Sequence, residues 1–234
     1  MWSGPRNLST AMMRAFGARP DTAVIDEPFY AAYLARTGID HPLRAEVLAA
    51  CETDPDRVAQ ALAGPVTGGA AIFYQKHMTH HMLEGFDLGW MDRCRHAFLI
   101  RAPERVLASY AARRSEVELA DTGFVRQAEL FDEVSSRDGR APPVIDAEDV
   151  LADPARTLTA LCAALDISFD PAMLAWRAGR RATDGVWSPA WYQTVEQSTG
   201  FGRPSERPIK LAPRLEMIAA KARPYYERLA GHKL

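Results

Sequence analysis

The sequence predicts an α/β protein in which a parallel sheet lies between helices in three layers. Short β-branched and apolar runs alternate along the chain with longer stretches of helical periodicity, the pattern of parallel strands joined by helices. Hydrophobic residues make up 47% of the 234 residues and charged residues 25%, as in ordinary globular proteins. This length suits a single domain, so we expect one domain over residues 1–234.

The charge and cysteine content exclude several classes of protein. The net charge is −2, so no overall basic surface indicates binding to nucleic acid or to a membrane. Cys51, Cys94 and Cys162 are far apart and odd in number, which indicates reduced thiols. We find no signal peptide and no apolar run long enough to span a bilayer, and therefore expect a cytoplasmic protein.

The first predicted elements are a very short strand and a helix. Leu8, Met12 and Phe16 recur at helical spacing, which predicts a helix from about Leu8. Only Met1 and Trp2 precede the turn at Gly4 and Pro5, although a buried strand should lead into such a turn. Either the first strand is truncated or the natural start lies upstream, and we expect the second.

The remaining strands and helices follow in alternation. Strands are predicted at residues 23–25, 70–76, 96–101 and 144–146. Helices are predicted within 31–63 with breaks at Pro42 and Pro55, from 103 to about 114, within 115–140, from 154 to 165 and from about 213 to 229. Parallel sheets bind ligands at the carboxyl ends of their strands, where Arg6, Glu27, His77 and Arg101 are predicted.

Residues 4–10 have the composition of an anion-binding loop. The N–H groups at a helix start, the Arg6 guanidinium and the hydroxyls of Ser9 and Thr10 would converge on one spot. A Walker phosphate loop requires Gly-Lys-Ser/Thr, and no lysine follows a second glycine here, so ordinary ATP or GTP hydrolysis is not indicated. The alternative is an ordinary capped helix near the start of the chain.

Arg101 and Ser109 are a second candidate for phosphate binding. Arg101 ends a predicted strand and Ser109 lies two turns into the next predicted helix, so both side chains can reach one phosphate. The alternative pairs Arg101 with Glu104 and leaves Ser109 merely exposed.

Three stretches in the same order resemble the sulfotransferases that use 3′-phosphoadenosine-5′-phosphosulfate (PAPS). Pro5–Thr10 resembles their Pro-Arg-Ser-Gly-Thr-Thr loop, with Asn-Leu replacing the central Ser-Gly. The Arg-x-Pro-x-x-x-x-x-Ser pattern of residues 101–109 is similar to their 3′-phosphate site. Residues 144–154 resemble their strand–loop–helix. Near the C-terminus the resemblance weakens, because the Arg-Lys-Gly segment of these enzymes is missing. The stretches at 2–6 and 26–30 look closest to a bacterial sulfotransferase-like branch, and similar segments occur beside aminotransferase-like domains in plants.

The resemblance implies a fold like that of phosphate-loop NTPases and a set of ligand-binding residues. Gly4, Pro5, Arg6, Asn7, Leu8, Ser9 and Thr10 would bind the 5′-phosphosulfate of PAPS. Arg101 and Ser109 would bind the 3′-phosphate, which stays on the product 3′-phosphoadenosine-5′-phosphate (PAP). The implied acceptor is a small molecule with a hydroxyl or amine, and no metal is required.

Two residues are candidates for the base that deprotonates the acceptor. Gln75-Lys76-His77 is similar to the Lys-Thr-His of cytosolic sulfotransferases, and a neutral imidazole accepts protons well near pH 7. Glu27, before Pro28, resembles the Glu-Pro of branches that use a carboxylate base. Arg6 would stabilise the transferred group and Lys76 the leaving group.

Three other interpretations remain open at the level of sequence. His77, His80 and His81 suggest a metal site, but no nearby Cys or Asp completes it. The chain is alternatively a nucleotide-binding module that has lost turnover, because its loop is altered and the C-terminal segment is missing. A small-molecule kinase is disfavoured by the absent Gly-Lys.

Overall fold

The structure, a computed structural model, describes residues 1–111, 116–205 and 208–234. A five-stranded parallel sheet with the order β2-β3-β1-β4-β5 forms its centre. The strands are β1 (Trp2–Ser3), β2 (Thr22–Asp26), β3 (Ile72–Met78), β4 (Phe98–Ile100) and β5 (Val144–Asp146). This confirms the predicted α/β fold class.

The described helices alternate with the strands. They are α1 (Ser9–Gly17), α2 (Tyr30–Thr37), α3 (Arg44–Ala50), α4 (Pro55–Ala63), α5 (Pro103–Ala111), α6 (Phe124–Asp138), α7 (Ala147–Ala152), α8 (Pro154–Ala164), α9 (Ser188–Trp191), α10 (Gln193–Glu196) and α11 (Pro213–Ala230). The predicted end of α5 near residue 114 lies outside the described residues. None of the helices in the described ranges is long and apolar enough to cross a membrane.

Helix starts follow from local sequence. Asp54 and Asp153 each precede a proline at the first helical position, and each carboxylate accepts a backbone N–H of the first turn. In the described part of the segment predicted as helix within 115–140, residues 116–140, the α-helix begins at Phe124, after a short 3-10 turn at Ala120–Thr122. Gly123 separates the two with φ 73°.

Alternation along the strands divides the core between the two faces of the sheet. In β4, Leu99 joins the apolar cluster that holds Met12 and Phe16 of α1. Its neighbour Phe98 faces the opposite cluster, which includes Phe131 of α6. Because successive strand residues point to opposite faces, this three-residue strand serves both layers.

The same alternation corrects the predicted position of His77. This strand is predicted at residues 70–76, with His77 at its carboxyl end. In the structure β3 continues to Met78, so His77 is inside the strand and pairs with Trp2. Lys76 and His77 therefore point to opposite faces. The His77 ring stacks on Trp2 with centroids 4.6 Å apart, lies 5.0 Å from Trp90 and is buried in the core.

A buried ion pair anchors the irregular segment after α8 to the first helix. The Arg14 guanidinium on α1 donates to both carboxylate oxygens of Asp184, over 2.6 and 2.7 Å, and both side chains are almost wholly buried. The next residue, Gly185, donates its N–H to Asp26 at the end of β2 over 3.2 Å. Residues near 184 are thereby held beside the carboxyl ends of the strands.

We expect Arg14→Met to lower the free energy of unfolding by about 3–5 kcal/mol, since Asp184 would keep a buried charge without its partner. The double variant Arg14→Met/Asp184→Leu should regain a large part of this loss, because no unpaired charge remains. Urea unfolding of the two single variants and the double variant gives the coupling energy. Strictly additive losses would contradict this account.

Candidate functional site

A cavity of about 440 Å³ opens at the carboxyl ends of β1, β2, β3 and β4. It collects residues that are far apart in sequence but were predicted to share this edge of the sheet. From the predicted set it is lined by Pro5, Arg6, Asn7, Leu8, Ser9, Thr10, Glu27, Lys76, Arg101 and Ser109. Further lining residues are Ala11, Tyr30, His41, Met78, His80, His81, Tyr110, Leu151, Trp191, Tyr192, Thr194, Val195, Ser198, Gly200, Phe201 and Gly202.

The loop after β1 wraps around the start of α1. Arg6 and Leu8 have φ values of 62° and 72°, left-handed conformations that turn the chain sharply. No side chain caps α1, and its first turn contains no acidic residue. The positive end of the helix dipole therefore faces the cavity without a competing carboxylate, as an anion site requires.

Gly4 and Asn7 shape this loop. A Cβ atom on Gly4 would lie 2.6 Å from the Thr122 carbonyl oxygen, so the close approach of the two backbones requires glycine. Gly4 is outside the cavity lining. Asn7 is 1% exposed, and its amide contacts either the Leu99 carbonyl or, in the swapped orientation, Pro5 and Gly4. Asn7, one of the two residues that depart from the usual motif, thus stabilises the loop through hydrogen bonds.

Arg6 and Arg101 are joined by a chain of hydrogen bonds. Arg6 Nε donates to the Ser109 hydroxyl over 2.9 Å, and Arg101 donates to the Arg6 carbonyl oxygen over 3.1 Å. Arg101 also donates from Nε and Nη2 to Glu148 over 3.0 and 2.9 Å. The alternative that paired Arg101 with Glu104 is wrong, because Glu104 contacts Arg223 instead.

Lys76 is the centre of a buried polar cluster. Its Nζ donates to Asp26 over 2.9 Å, to Glu27 over 2.5 Å and to the Tyr192 hydroxyl over 2.7 Å. The Tyr192 hydroxyl donates to Asp26, with oxygen distances of 2.7 and 2.9 Å, and accepts from Trp187 over 3.2 Å. A residue between α9 and α10 thereby joins the ends of β2 and β3.

The charges in this cluster set its protonation. Burial opposes the positive charge of Lys76, but Asp26 and Glu27 outweigh it and raise the Lys76 pKa well above its ordinary value. Burial raises the pKa of Glu27, and the charge of Asp26 adds to this, although Lys76 acts in the opposite direction. Glu27 also has φ 41°, a strained conformation for a residue with a side chain.

His80 and His81, which line the cavity near Glu27, are neutral. Burial lowers the pKa of His80 to about 3 and lowers that of His81 well below its ordinary value. The His81 ring stacks on Tyr30 at 4.7 Å and on Tyr33 at 4.8 Å. His81 Nδ1 lies 4.0 Å from Glu27 Oε2, beyond hydrogen-bond distance.

The metal interpretation of the histidines finds no support in the described ranges. His77 lies in the core, while His80 and His81 border the cavity. Within residues 1–111, 116–205 and 208–234, no three His, Cys, Asp or Glu side chains are grouped so that they could hold a metal ion.

Sequence reasoning missed Tyr30, His41 and Tyr192. Tyr30 and His41 meet through a 2.6 Å contact between the phenolic oxygen and Nδ1. Tyr192 lies 166 positions from Asp26, so no spacing along the chain connects them. In the aromatic-rich stretch near residues 187–192, Trp187 is buried in the core, whereas Trp191 lines the cavity.

The sequence matches the family model described as "Sulfotransferase domain" over residues 1–232. The chain belongs to the sulfotransferase-domain family. A sulfotransferase domain from the curacin biosynthetic pathway superposes with a TM-score of 0.55 at 14% identity, covering 94% of this chain and 95% of that one. At this identity the likeness concerns the fold, and it agrees with the α/β architecture described above.

Two similar relatives from Arabidopsis thaliana are named branched-chain-amino-acid aminotransferase-like proteins 1 and 2. Each is 36% identical to this sulfotransferase-family chain, over 231 and 208 residues respectively. The alignments cover 99% and 88% of this chain but 41% and 36% of the relatives. The chain therefore spans about two fifths of the length of these relatives.

The raised pKa of Glu27 predicts a pH-dependent stability difference. Above the ordinary value of 4.5, the folded protein holds the Glu27 proton more tightly than the unfolded chain. Rising pH therefore lowers the free energy of unfolding until the folded-state pKa is passed. Glu27→Gln abolishes this loss, so its stability relative to the wild type should rise with pH, by at most about 1.4 kcal/mol per pH unit.

Urea unfolding between pH 4.5 and 8 measures this difference. Glu46→Gln, on the exposed side of α3, is the matched control and should run parallel to the wild type. A Glu27→Gln curve that also stays parallel, or that falls relative to the wild type, would show that burial does not raise this pKa.

Proposed function

We propose that this chain transfers a sulfuryl group from PAPS to a hydroxyl or amine of a small-molecule acceptor. The observation that carries the proposal is the meeting of two groups of side chains in one cavity. The start of α1 with Arg6, Ser109 and Arg101 supplies anion-binding groups, and Glu27 with Lys76 supplies a buried acid–base pair. Membership of the sulfotransferase-domain family supports the same reaction.

The residues present fit the donor. Two phosphate-type anions need two separate sets of donors. The cavity has the uncapped start of α1 with Arg6, Ser9 and Thr10, and it has the pair Arg101 and Ser109. Ser109 accepts from the Arg6 guanidinium, and Arg101 donates to the backbone carbonyl of the same Arg6. We assign the α1 end to the 5′-phosphosulfate and Arg101 with Ser109 to the 3′-phosphate.

We assign the role of base to Glu27 rather than His77. Glu27 lines the cavity, and its raised pKa suits a group that must accept a proton near neutral pH. His77 is packed between Trp2 and Trp90 on the opposite face of the sheet, and burial lowers its pKa well below the ordinary value. An imidazole in that position has no access to an acceptor in this cavity.

The reaction requires one bond to form at sulfur and one to break. PAPS supplies the sulfuryl group. Glu27 accepts the proton of the acceptor hydroxyl while the acceptor oxygen forms the new bond to sulfur. The bond from sulfur to the bridging phosphate oxygen breaks, and its electron pair stays on PAP. Arg6 and the N–H groups of α1 stabilise the charge on the transferred group, and Lys76 lies at the leaving-group side.

A nucleotide-binding module without turnover is the second candidate. One observation favours it: all three hydrogen-bond donors of Lys76 are matched by Asp26, Glu27 and Tyr192. Lys76 engaged in this way has no donor left for a leaving group until a ligand displaces one partner. Nucleotide binding without sulfation of any phenol, alcohol or amine in a broad panel would favour this candidate.

The assigned 3′-phosphate site predicts that Arg101→Ala weakens binding of PAP roughly ten- to hundredfold, the loss expected for charge-assisted hydrogen bonds to one phosphate. Binding of adenosine 5′-phosphosulfate, which has no 3′-phosphate, should change by less than about threefold. Calorimetric titration of both nucleotides without magnesium measures the two losses.

Arg105→Ala is the matched control for this experiment. Arg105 approaches the same Glu148 carboxylate at 3.9 Å, but it is not among the residues that line the cavity. It should leave both affinities nearly unchanged. Equal losses for both nucleotides in Arg101→Ala would contradict the assignment of Arg101 to the 3′-phosphate.

The choice of base predicts opposite results for two variants. Glu27→Gln should lower kcat about 10²- to 10⁴-fold and retain PAP binding, because the amide cannot accept the proton. His77→Asn should keep kcat within about threefold once the folded fraction is measured by PAP titration. Sulfation of a phenol and alcohol panel, followed by mass spectrometry, gives both rates. A severe loss in His77→Asn with normal PAP binding would reverse the assignment.

A further inference from the structure

The cavity continues past the anion-binding groups to the ends of β2 and β3. We call this region the acceptor end. Its side chains come from the ends of β2 and β3, from α2 and from the segment around α9. They are Glu27, Tyr30, His41, Met78, His80, His81, Trp191 and Tyr192.

Positive charge is neutralised at the acceptor end. Among the described residues that line the cavity, the arginines and lysine are Arg6, Lys76 and Arg101. Arg6 and Arg101 belong to the proposed donor site. Lys76 contacts two carboxylates, Asp26 and Glu27, so the cluster has one more acidic group than basic groups.

The imidazoles do not restore positive charge. The His81 ring is held between the rings of Tyr30 and Tyr33, with interplanar angles of 5° and 29°. Its Nδ1 and that of His80 are closed off from solvent. Protonation at either site would place a charge where water cannot hydrate it, so both rings stay neutral.

The free oxygen of Glu27 marks where an acceptor group must arrive. Glu27 Oε1 is held by Lys76 at 2.5 Å, while the nearest charged or imidazole partner recorded for Oε2 is His81 Nδ1 at 4.0 Å. A hydroxyl hydrogen can meet Oε2 directly. A carboxylate or phosphate close to it would face the same negative charge, and in the part of the chain that the structure describes the nearby cation Lys76 is already paired.

We propose that the acceptor is an uncharged or cationic hydroxyl compound with a flat, apolar body, and that acceptors with a negative charge beside that body are excluded. This inference rests on the proposed sulfotransferase function and specifies its substrate class. Trp191 and the side of Tyr30 that His81 does not cover line the space for the body of the acceptor, and its hydroxyl reaches Glu27.

Two nearly isosteric phenols test the effect of charge. 4-Hydroxyphenylacetamide and 4-hydroxyphenylacetate differ by one negative charge, and tyramine adds a cation on the same ring. With the full chain at pH 7, we expect kcat/KM for the amide to exceed that for the carboxylate at least about tenfold, with tyramine nearer the amide. Affinity for the PAP-bound protein, measured by calorimetry, should follow the same order without depending on turnover.

A positive charge introduced at Trp191 tests whether electrostatics cause the preference for the amide over the carboxylate. Trp191 is half-buried, lines the acceptor end and lies 5.9 Å from His41 between ring centroids. Trp191→Lys and Trp191→Leu both remove the aromatic ring, and only the first adds charge. Trp191→Lys should reduce the preference for the amide at least about threefold relative to Trp191→Leu. An equal preference in the two variants would overturn the electrostatic explanation.

The outcomes separate the inference from the function on which it rests. If PAP binds and the carboxylate is bound or sulfated as well as the amide, the acceptor inference fails and the donor assignment stands. If PAP binds and none of the three phenols binds at millimolar concentration, the proposed acceptor class is wrong, and the donor assignment again stands. Failure of PAP itself to bind would overturn the proposed function, and the acceptor inference with it.

Discussion

The buried charge of Lys76 is the constraint on which the geometry of the cavity depends. An ammonium group that is buried away from water requires hydrogen-bond acceptors and opposite charge. For Lys76 these are Asp26, Glu27 and Tyr192, at 2.5–2.9 Å from Nζ. These partners come from the end of β2 and from the segment between α9 and α10, so satisfying one charge fixes three parts of the chain. The pairing of Arg14 with Asp184 holds the same segment from its other side.

The alternation of side chains along β3 places Lys76 and His77 on opposite faces of the sheet. β3 passes beside the short β1, and its side chains alternate between the two faces. Lys76 therefore enters the cavity, whereas His77 stacks on Trp2 and becomes a core residue. Two side chains that are adjacent in sequence thus lie on opposite faces of the sheet. A shift of one residue in this strand would exchange the two roles.

The parts of the molecule that were predictable have local signals. Helical spacing and proline positions gave α1, α4 and α8, and β-branched runs gave β2 and β5 within a few residues. Arg6, Arg101 and Ser109 line the cavity at the edge where they are predicted, because each stands at a strand end or on the following helix. The contacts of Tyr192 and Glu148 were not predicted, because their partners lie 166 and 47 positions away in the chain. The placement of His77 was wrong because the motif suggested a strand end where β3 continues for two residues.

The strain and burial of Glu27 are more readily explained by function than by stability. The φ of 41° costs folding free energy for any side-chain-bearing residue at this position, and the pKa raised by burial and by Asp26 adds a cost that a glutamine would avoid. The same features keep one carboxylate oxygen directed to the cavity and bring the pKa toward the range in which a base operates. The adjacent Lys76 charge acts against burial and limits the rise of the Glu27 pKa. The lysine that organises the fold at this edge therefore also tunes the group to which we assign proton transfer.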